Sequence, residues 1–275
     1  MKLKTIFLTS FLFLNPIFAE EGYYSLSYKM NSIVASIELN GIVLTEASQD
    51  GFKSGVSTDL NLWIMPGENI LKIKLLKPYQ KGKNNSEPKI EAYIRLGQAG
   101  QTSEEGKEIV NFIAPESGQE KITFPTEKEI KFTPDFAPPS ELWNQAEQIS
   151  LDEISKKEIT KLIQSLHTAA NSGNKKIFLS LNEFKSKDMP KAMLSPVEDN
   201  TNDEKATGEF LKMLKGKLVK IPDGLSFRLV ANGKLVYVID EKGNDIIKTK
   251  PTKEDGSFSV PIYIGKVKGK WILAR

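Results

Sequence analysis

The first half of the chain alternates apolar and polar residues with the two-residue period of β-strands. One such run, Ile33–Leu39, ends at Asn40 and Gly41, and Asn-Gly is the strongest short signal for a hairpin turn. The pattern predicts strands at residues 23–30, 33–39, 42–44, 60–64, 70–75, 90–96, 107–113, 121–124 and 129–132. Several short strands separated by turns are typical of an antiparallel β-sandwich.

After residue 140 the apolar positions take on a helical spacing. One predicted helical face consists of Ile154, Ile159, Leu162, Ile163, Leu166 and Ala170. Asp152 or Ser150 can cap the start of this helix, and Gly173 suits the left-handed position at its end. Shorter helices are predicted at residues 175–184 and 204–214, with a polar loop at 199–203 before the last one.

The end of the chain returns to a strand pattern. Residues 225–230 and 235–239 form a predicted hairpin across Asn232 and Gly233. A strand is expected at 245–250, and a second hairpin joins 257–267 to 270–274. Helices followed by antiparallel strands indicate an α+β region.

A proline-rich segment separates the two patterns. Pro134, Pro138 and Pro139 fall within a few residues and cannot continue a helix or a central strand. We therefore predict two domains, with a signal peptide at 1–19, a β-sandwich at 20–133, a linker at 134–140 and an α+β domain at 141–275.

The first residues have the order of a secretory signal peptide. Lys2 and Lys4 precede an apolar run, and Ala19 offers a small residue for cleavage before Glu20. The run is shorter than the roughly 20 apolar residues that span a bilayer. The chain is therefore expected to be exported, to the periplasm or the outside of the cell, with no integral membrane segment after cleavage.

Composition excludes several classes of function. The 275 residues include no cysteine and one histidine, which excludes disulfides and argues against a zinc site. The formal net charge is only +3, and lysines alternate with acids, so nucleic acid is not expected as a partner. No phosphate-binding glycine motif or nucleophile elbow occurs, and we predict no cofactor, no metal and no assigned catalytic residue.

Part of the first half resembles the galactose-binding-like jelly rolls. The resemblance rests on the hairpin at Asn40 and Gly41 and on a turn that leads into an alternating strand at Gly67, Asn69 and Ile70. Gly67 permits the turn, and the Asn69 side chain can bond nearby backbone. The resemblance implies a jelly-roll or immunoglobulin-like sandwich, without implying sugar binding.

The second half resembles the nuclear-transport-factor-2-like superfamily, which includes ketosteroid isomerase and the SnoaL-like proteins. The first helix and its ending at Gly173 carry the resemblance, together with the final hairpin 263–273 and its Gly269-Lys270-Trp271 segment. The resemblance implies a cone-like domain in which helices cover an antiparallel sheet. A cystatin-like sheet is the nearest alternative.

Three residues are candidates for ligand binding. His167 lies beside the apolar helical face, where it is either a pocket base or a boundary histidine. Tyr237 and Tyr263 lie in strands, where they either enter the cone or pack in the core. Asp240, Asp245 and Asp255 are expected to form turns, Trp143 to pack between the domains, and 199–204 to be a polar loop rather than a calcium site.

Two functions remain open from the sequence. The first is an exported, non-catalytic binding or interaction protein, with a sandwich for recognition and a cone-like domain for an unknown small ligand or protein partner. The second is a small-molecule enzyme of the ketosteroid-isomerase type or a carbohydrate-active accessory protein, for which only the family resemblance argues.

Overall fold

The computed structural model describes residues 22–45, 52–57, 60–79, 87–98, 100–116, 121–195, 200–251 and 256–275. It has mixed α and β structure with antiparallel sheets. The predicted signal peptide lies outside these residues. None of the helices within them is both long and apolar enough to cross a membrane.

The N-terminal region, residues 22–132, contains two four-stranded antiparallel sheets in the orders β4-β1-β6-β7 and β3-β2-β5-β8. Their strands are β1 (Tyr23–Asn31), β2 (Ile33–Leu39), β3 (Ile42–Thr45), β4 (Phe52–Ser57), β5 (Asn69–Pro78), β6 (Lys89–Gly97), β7 (Lys107–Ala114) and β8 (Thr126–Phe132). Leu26 and Ile94 from one sheet share a fully buried hydrophobic core with Ile37 and Leu71 from the other.

Two strand predictions in this region were wrong, and one strand, β4, was not predicted. Residues 121–124 are not a strand. The predicted strand at 60–64 is instead a short 3-10 helix, Leu60–Leu62, in which consecutive residues are buried. The reason is Asn61, whose buried side chain accepts from the Tyr24 amide at 2.8 Å and donates to the Gly22 carbonyl at 3.2 Å.

The hairpin at Asn40 and Gly41 is confirmed, with φ of 54° and 80°. The Asn40 side chain donates to the Asn69 side chain at 2.8 Å and accepts from the Ile70 amide at 2.9 Å. The Asn69 side chain in turn accepts from the Met65 amide and donates to the Met65 carbonyl. Both asparagines of the jelly-roll-like motif therefore hold turns together inside the fold.

The C-terminal region, residues 141–275, begins with helices α1 (Glu141–Gln145), α2 (Glu153–Ser172), α3 (Lys175–Leu181), α4 (Glu183–Ala192) and α5 (Asn200–Leu214). The caps of α2 are confirmed. Asp152 accepts from the Ser155 amide at 2.7 Å, and Gly173 has φ of 71°. The apolar face is confirmed except at Ile154, which is 70% exposed.

The shorter helices differ from the prediction. The helix predicted at 175–184 is two helices that meet at Asn182, and the second continues to Ala192 with Pro190 inside it. Helix α5 already begins at Asn200, so most of the predicted polar loop is helical; Asp199 lies outside the described residues.

The final strands form a four-stranded sheet in the order β14-β13-β10-β9, beside the pair β11-β12. Their bounds are β9 (Leu225–Val230), β10 (Leu235–Asp240), β11 (Ile247–Lys248), β12 (Ser259–Val260), β13 (Tyr263–Val267) and β14 (Lys270–Leu273). Both predicted hairpins form. The long strand expected at 257–267 is broken at Pro261 and Ile262 into β12 and β13.

A third hydrophobic cluster joins the two regions. It contains Ile42 and Met65 from the N-terminal region with Trp143 and Leu235 from the C-terminal region. Trp143 is 2% exposed, which confirms its predicted place between the two parts. The proline-rich segment is also bonded to the N-terminal region, because the Tyr24 hydroxyl donates to the Phe136 carbonyl at 2.8 Å.

Candidate functional site

The four-stranded C-terminal sheet has two different faces, because side chains alternate along each strand. Val236, Val238 and Ile264 point into the core beneath the helices, which we call the helix-covered face. Tyr237 and Tyr263 belong to the cluster toward the N-terminal region, which we call the junction face. Any ligand site in this region lies on one face or the other.

The two predicted tyrosines lie on the junction face, so they do not enter the space under the helices. They are direct cross-strand neighbours, their rings stack at 4.9 Å, and Trp63 packs edge-on against Tyr263 at 5.0 Å. The Tyr237 hydroxyl donates to Asp245 at 2.8 Å. Burial, followed by the charge of Asp245, raises the pKa of Tyr263 well above its usual value.

The third predicted residue, His167, lies on α2 away from both tyrosines. Its Nε2 is 2.9 Å from the Val219 carbonyl oxygen, and since a carbonyl only accepts, Nε2 carries the proton. The half-buried ring borders an open groove between α2 and residues 220–227. The three predicted residues therefore do not form a single site, because strand alternation sends the tyrosines to the opposite face.

A small cavity lies on the helix-covered face. It has a volume of about 80 Å³. Apolar side chains make up most of its wall: Leu166, Ala170, Phe178, Phe210, Leu214, Ile247, Val260, Ile262 and Leu273. The Phe178 and Phe210 rings are 6.0 Å apart and tilted, so the aromatic wall does not close into a stack. Three polar residues complete the lining: Asn182, Lys185 and Arg275.

Arg275 is fully engaged with the protein. Its guanidinium donates to Asp188 at 2.7 Å, to Ser140 at 3.2 Å and to the backbone of Leu62 and Ala274. The side chains of both Arg275 and Asp188 are 2% exposed. Burial lowers the pKa of Arg275, and Asp188 acts against that shift. This pair is part of the structure and offers nothing to a ligand.

Asp188 also organises the start of α1. It accepts from the Ser140 hydroxyl at 2.8 Å and from the backbone amides of Glu141 and Leu142 at 2.5 and 3.2 Å. These are amides of the first helical turn, which lack partners inside the helix. One carboxylate on α4 therefore joins α1, the proline-rich segment and Arg275.

Lys185 is the contrasting polar group. Its half-buried ammonium has no hydrogen bond and no ion pair with any residue that the structure describes. Burial, followed by the positive charge of Arg275, lowers the pKa of Lys185. An unpaired cation at an apolar cavity is the arrangement that an anionic ligand group would complete.

Sequence reasoning missed Lys185. It lies in a charged stretch that also contains Glu183 and Lys187, and such a stretch reads as a solvated surface. The only local signal is the neighbouring Phe184, which marks an apolar side on α4. The depth of Lys185 follows from how α4 packs, which the sequence pattern does not reveal.

The remaining acidic candidates are structural. Asp240 accepts from the Lys242 and Asn244 amides, and these turn contacts, Asn244 foremost, lower the pKa of Asp240 to about 2. Asp245 holds Tyr237 and Ser259, and Asp255 lies outside the described residues. Within the part of the chain that is described, His, Asp and Glu side chains form no group able to hold a metal.

Comparisons with known protein families, curated proteins and solved structures find no match to this chain. The family resemblances drawn from the sequence therefore stay predictions.

Proposed function

We propose that this chain is an exported, non-catalytic binding protein whose helix-covered cavity takes a small ligand with an apolar body and one acidic group. The observation that carries the proposal is the unpaired Lys185 ammonium at an otherwise apolar cavity. The apolar wall accepts the body of the ligand, and Lys185 pairs with its carboxylate.

The charge of the ligand follows from the two cations at the cavity. Arg275 already has Asp188 as its partner, and Lys185 has none among the described residues. A half-buried ammonium without a counter-charge is unfavourable, and a carboxylate removes that penalty while it gains a charge-assisted hydrogen bond. A cationic ligand would meet two positive groups.

The size of the ligand follows from the volume. About 80 Å³ is well below the roughly 300–1,000 Å³ of sites for drug-sized ligands. The cavity suits a short-chain acid, or the end of a longer one.

Binding without catalysis follows from the lining. None of the lining residues is a carboxylate, a histidine or a hydroxyl side chain, so the wall supplies no general base of the ketosteroid-isomerase type. The Asn182 side chain donates one N–H to the Phe178 carbonyl at 2.9 Å. Lys185 is the charged lining group that has no partner among the described residues.

The wider setting belongs to the same proposal. We take residues 20–133 as a jelly-roll or immunoglobulin-like sandwich for recognition and 141–275 as a cone-like domain of the nuclear-transport-factor-2 type. Export rests on the pattern of residues 1–19. The observation in favour of two domains is that each region has its own hydrophobic core.

Three probes of equal length and different charge test the proposal: hexanoate, hexan-1-ol and hexylamine. We expect hexanoate to raise the melting temperature most, since a ligand at ten times its dissociation constant stabilises the fold by about 1.4 kcal/mol. Its affinity should fall as pH rises through the lowered pKa of Lys185, because the ammonium is lost. Titration calorimetry at several pH values measures this.

Lys185→Met should remove the preference for hexanoate over hexan-1-ol. Lys187→Met is the matched control, because Lys187 is on the same helix, is exposed and pairs with Glu183 at 2.6 Å. Equal binding of hexanoate and hexan-1-ol to the unmodified protein, or an equal effect of both variants, would overturn the proposal.

A further inference from the structure

The edge of the C-terminal sheet at β9 is open. Among the described residues β9 pairs with β10 alone, and the other side of the strand has no partner strand. Asn40 lies only at the C-terminal end of β9, where the Asn40 carbonyl accepts from the Ala231 amide at 2.7 Å. An exposed edge of this kind presents unpaired backbone donors and acceptors.

The direction of those backbone groups follows from the antiparallel ladder. The Val238 amide donates to the Ile262 carbonyl on the β13 side, so the flanking residues of β10 turn their backbone groups toward β9. Tyr237 lies opposite Arg228 in the register. Arg228 therefore bonds β10, while Leu225, Phe227 and Leu229 direct their amides and carbonyls outward.

A groove of about 820 Å³ lies beside this edge, between α2 and residues 220–227. Its apolar side chains include Ile221, which belongs to the segment before β9, and Leu225 and Phe227, which belong to β9 itself. Leu229, the next residue of the same row, is 44% exposed. Strand edge and apolar groove thus run together, the combination that strand addition requires.

The wall formed by α2 is positively charged. Lys157 and Lys161 line the groove one helical turn apart, and no carboxylate among the described residues forms an ion pair with either. Lys156 pairs with Glu153 at 2.8 Å, and Lys220 lies 3.8 Å from Asp223. Glu153 lines the same wall and acts on Lys157 at longer range, and the groove lining holds four lysines against two carboxylates, so its net charge is positive.

We propose that β9 and this groove bind an extended acidic peptide segment as an added strand. The backbone of the peptide pairs with the outward groups of Leu225, Phe227 and Leu229, and its carboxylates meet Lys157 and Lys161. In an added strand every second side chain lies on the same side. A peptide with an acid at every second position can therefore direct its carboxylates toward Lys157 and Lys161.

A second copy of this chain fits the edge less well. Pairing two β9 edges about a two-fold axis would bring the same lysine-bearing groove from each copy to one interface. Like charges would then face each other, whereas an acidic peptide neutralises them.

The probe for this proposal is a fluorescently labelled peptide of about eight residues that alternates Glu and Val, followed by anisotropy. A peptide of the same composition with its glutamates in one block, and one that alternates Lys and Val, are the comparison probes. We expect the alternating acidic peptide to bind at least about tenfold more tightly than either, with affinity that falls as salt is raised.

Two variants of the full chain separate the backbone and charge contributions. Lys157→Glu with Lys161→Glu should lower the affinity at least about tenfold, whereas Lys176→Glu with Lys270→Glu, exposed lysines outside the groove, should not. Leu229→Pro removes one outward amide without touching the bonds to β10 and should also weaken binding. Lys185→Met should leave it unchanged, because the cavity is a separate site.

Several results would overturn the proposal. They are no saturable binding up to about 1 mM peptide, equal loss in the groove and control lysine pairs, and equal binding of the alternating and blocked acidic peptides. A concentration-dependent dimer in sedimentation that Leu229→Pro abolishes would make a second copy the occupant instead.

Discussion

Charged groups near the two faces of the C-terminal sheet differ in whether they have partners. On the junction face, Tyr237 is stacked on its neighbour and bonded to Asp245, and the Asp188–Arg275 pair beside it satisfies a helix start and a guanidinium together. On the helix-covered face, Lys185 stands at a cavity with no partner among the described residues. The paired charges have a structural role, and the unpaired cation marks where a ligand is expected.

The largest effect is expected where the junction is most completely paired. Asp188→Ala leaves Arg275 buried without its counter-charge and removes the acceptor for two α1 amides. We expect a loss of about 3–5 kcal/mol in the free energy of unfolding, measured by urea denaturation. Asp135→Ala, which breaks the exposed pair with Lys107, should cost less than about 1 kcal/mol. Similar losses in the two variants would contradict the structural role of Asp188.

A smaller difference in stability is expected between variants of the two stacked tyrosines. Tyr237→Phe removes the hydrogen bond to Asp245 and should cost about 1 kcal/mol. Tyr263→Phe should change stability by less than about 0.5 kcal/mol, because its hydroxyl has no hydrogen bond within the described part of the chain. Thermal unfolding of both variants measures the difference, and the opposite order would refute this account of the junction face.

The smallest effect on stability is expected at the cavity, where the substitution should stabilise the protein instead of destabilising it. Lys185→Met should stabilise the free protein by less than about 1 kcal/mol, since the half-buried ammonium is still partly hydrated. The folded pKa is lowered, so the penalty for charge is present at neutral pH and disappears as pH rises toward the ordinary lysine value of 10.5. Denaturation at pH 7 and above pH 10 checks this. A variant that is less stable than the parent at neutral pH would show that Lys185 has a partner in the fold.

Local signals predicted much of the framework. The Asn40-Gly41 turn, the caps of α2 and the hairpin between β9 and β10 all formed as expected, because each depends on residues adjacent in sequence. The break at Pro261 has a local cause, since proline lacks the amide that a strand ladder needs. One error occurred where a distant contact overrides the local pattern, because Asn61 bonds Tyr24 and a predicted strand becomes a 3-10 helix.

The candidate site was harder to predict for the same reason. Tyr237 and Tyr263 were correctly placed in strands, but which face of the sheet each row occupies depends on register and packing against the N-terminal region. Lys185 is one of many lysines by composition. Only the packing of α4 against the cavity distinguishes it.

The sequence by itself determined the main turns and caps, the change from a strand pattern to a helix pattern after residue 140 and the absence of cysteine chemistry. These properties depend on residue type and short-range spacing. Tertiary structure alone decided which cation is paired, which face of the sheet carries the tyrosines and which strands lie at the edges of the sheet. Those outcomes depend on burial and on contacts between residues far apart in the chain, such as Asp188 with Arg275, because desolvation and pairing are set by what surrounds a group in space.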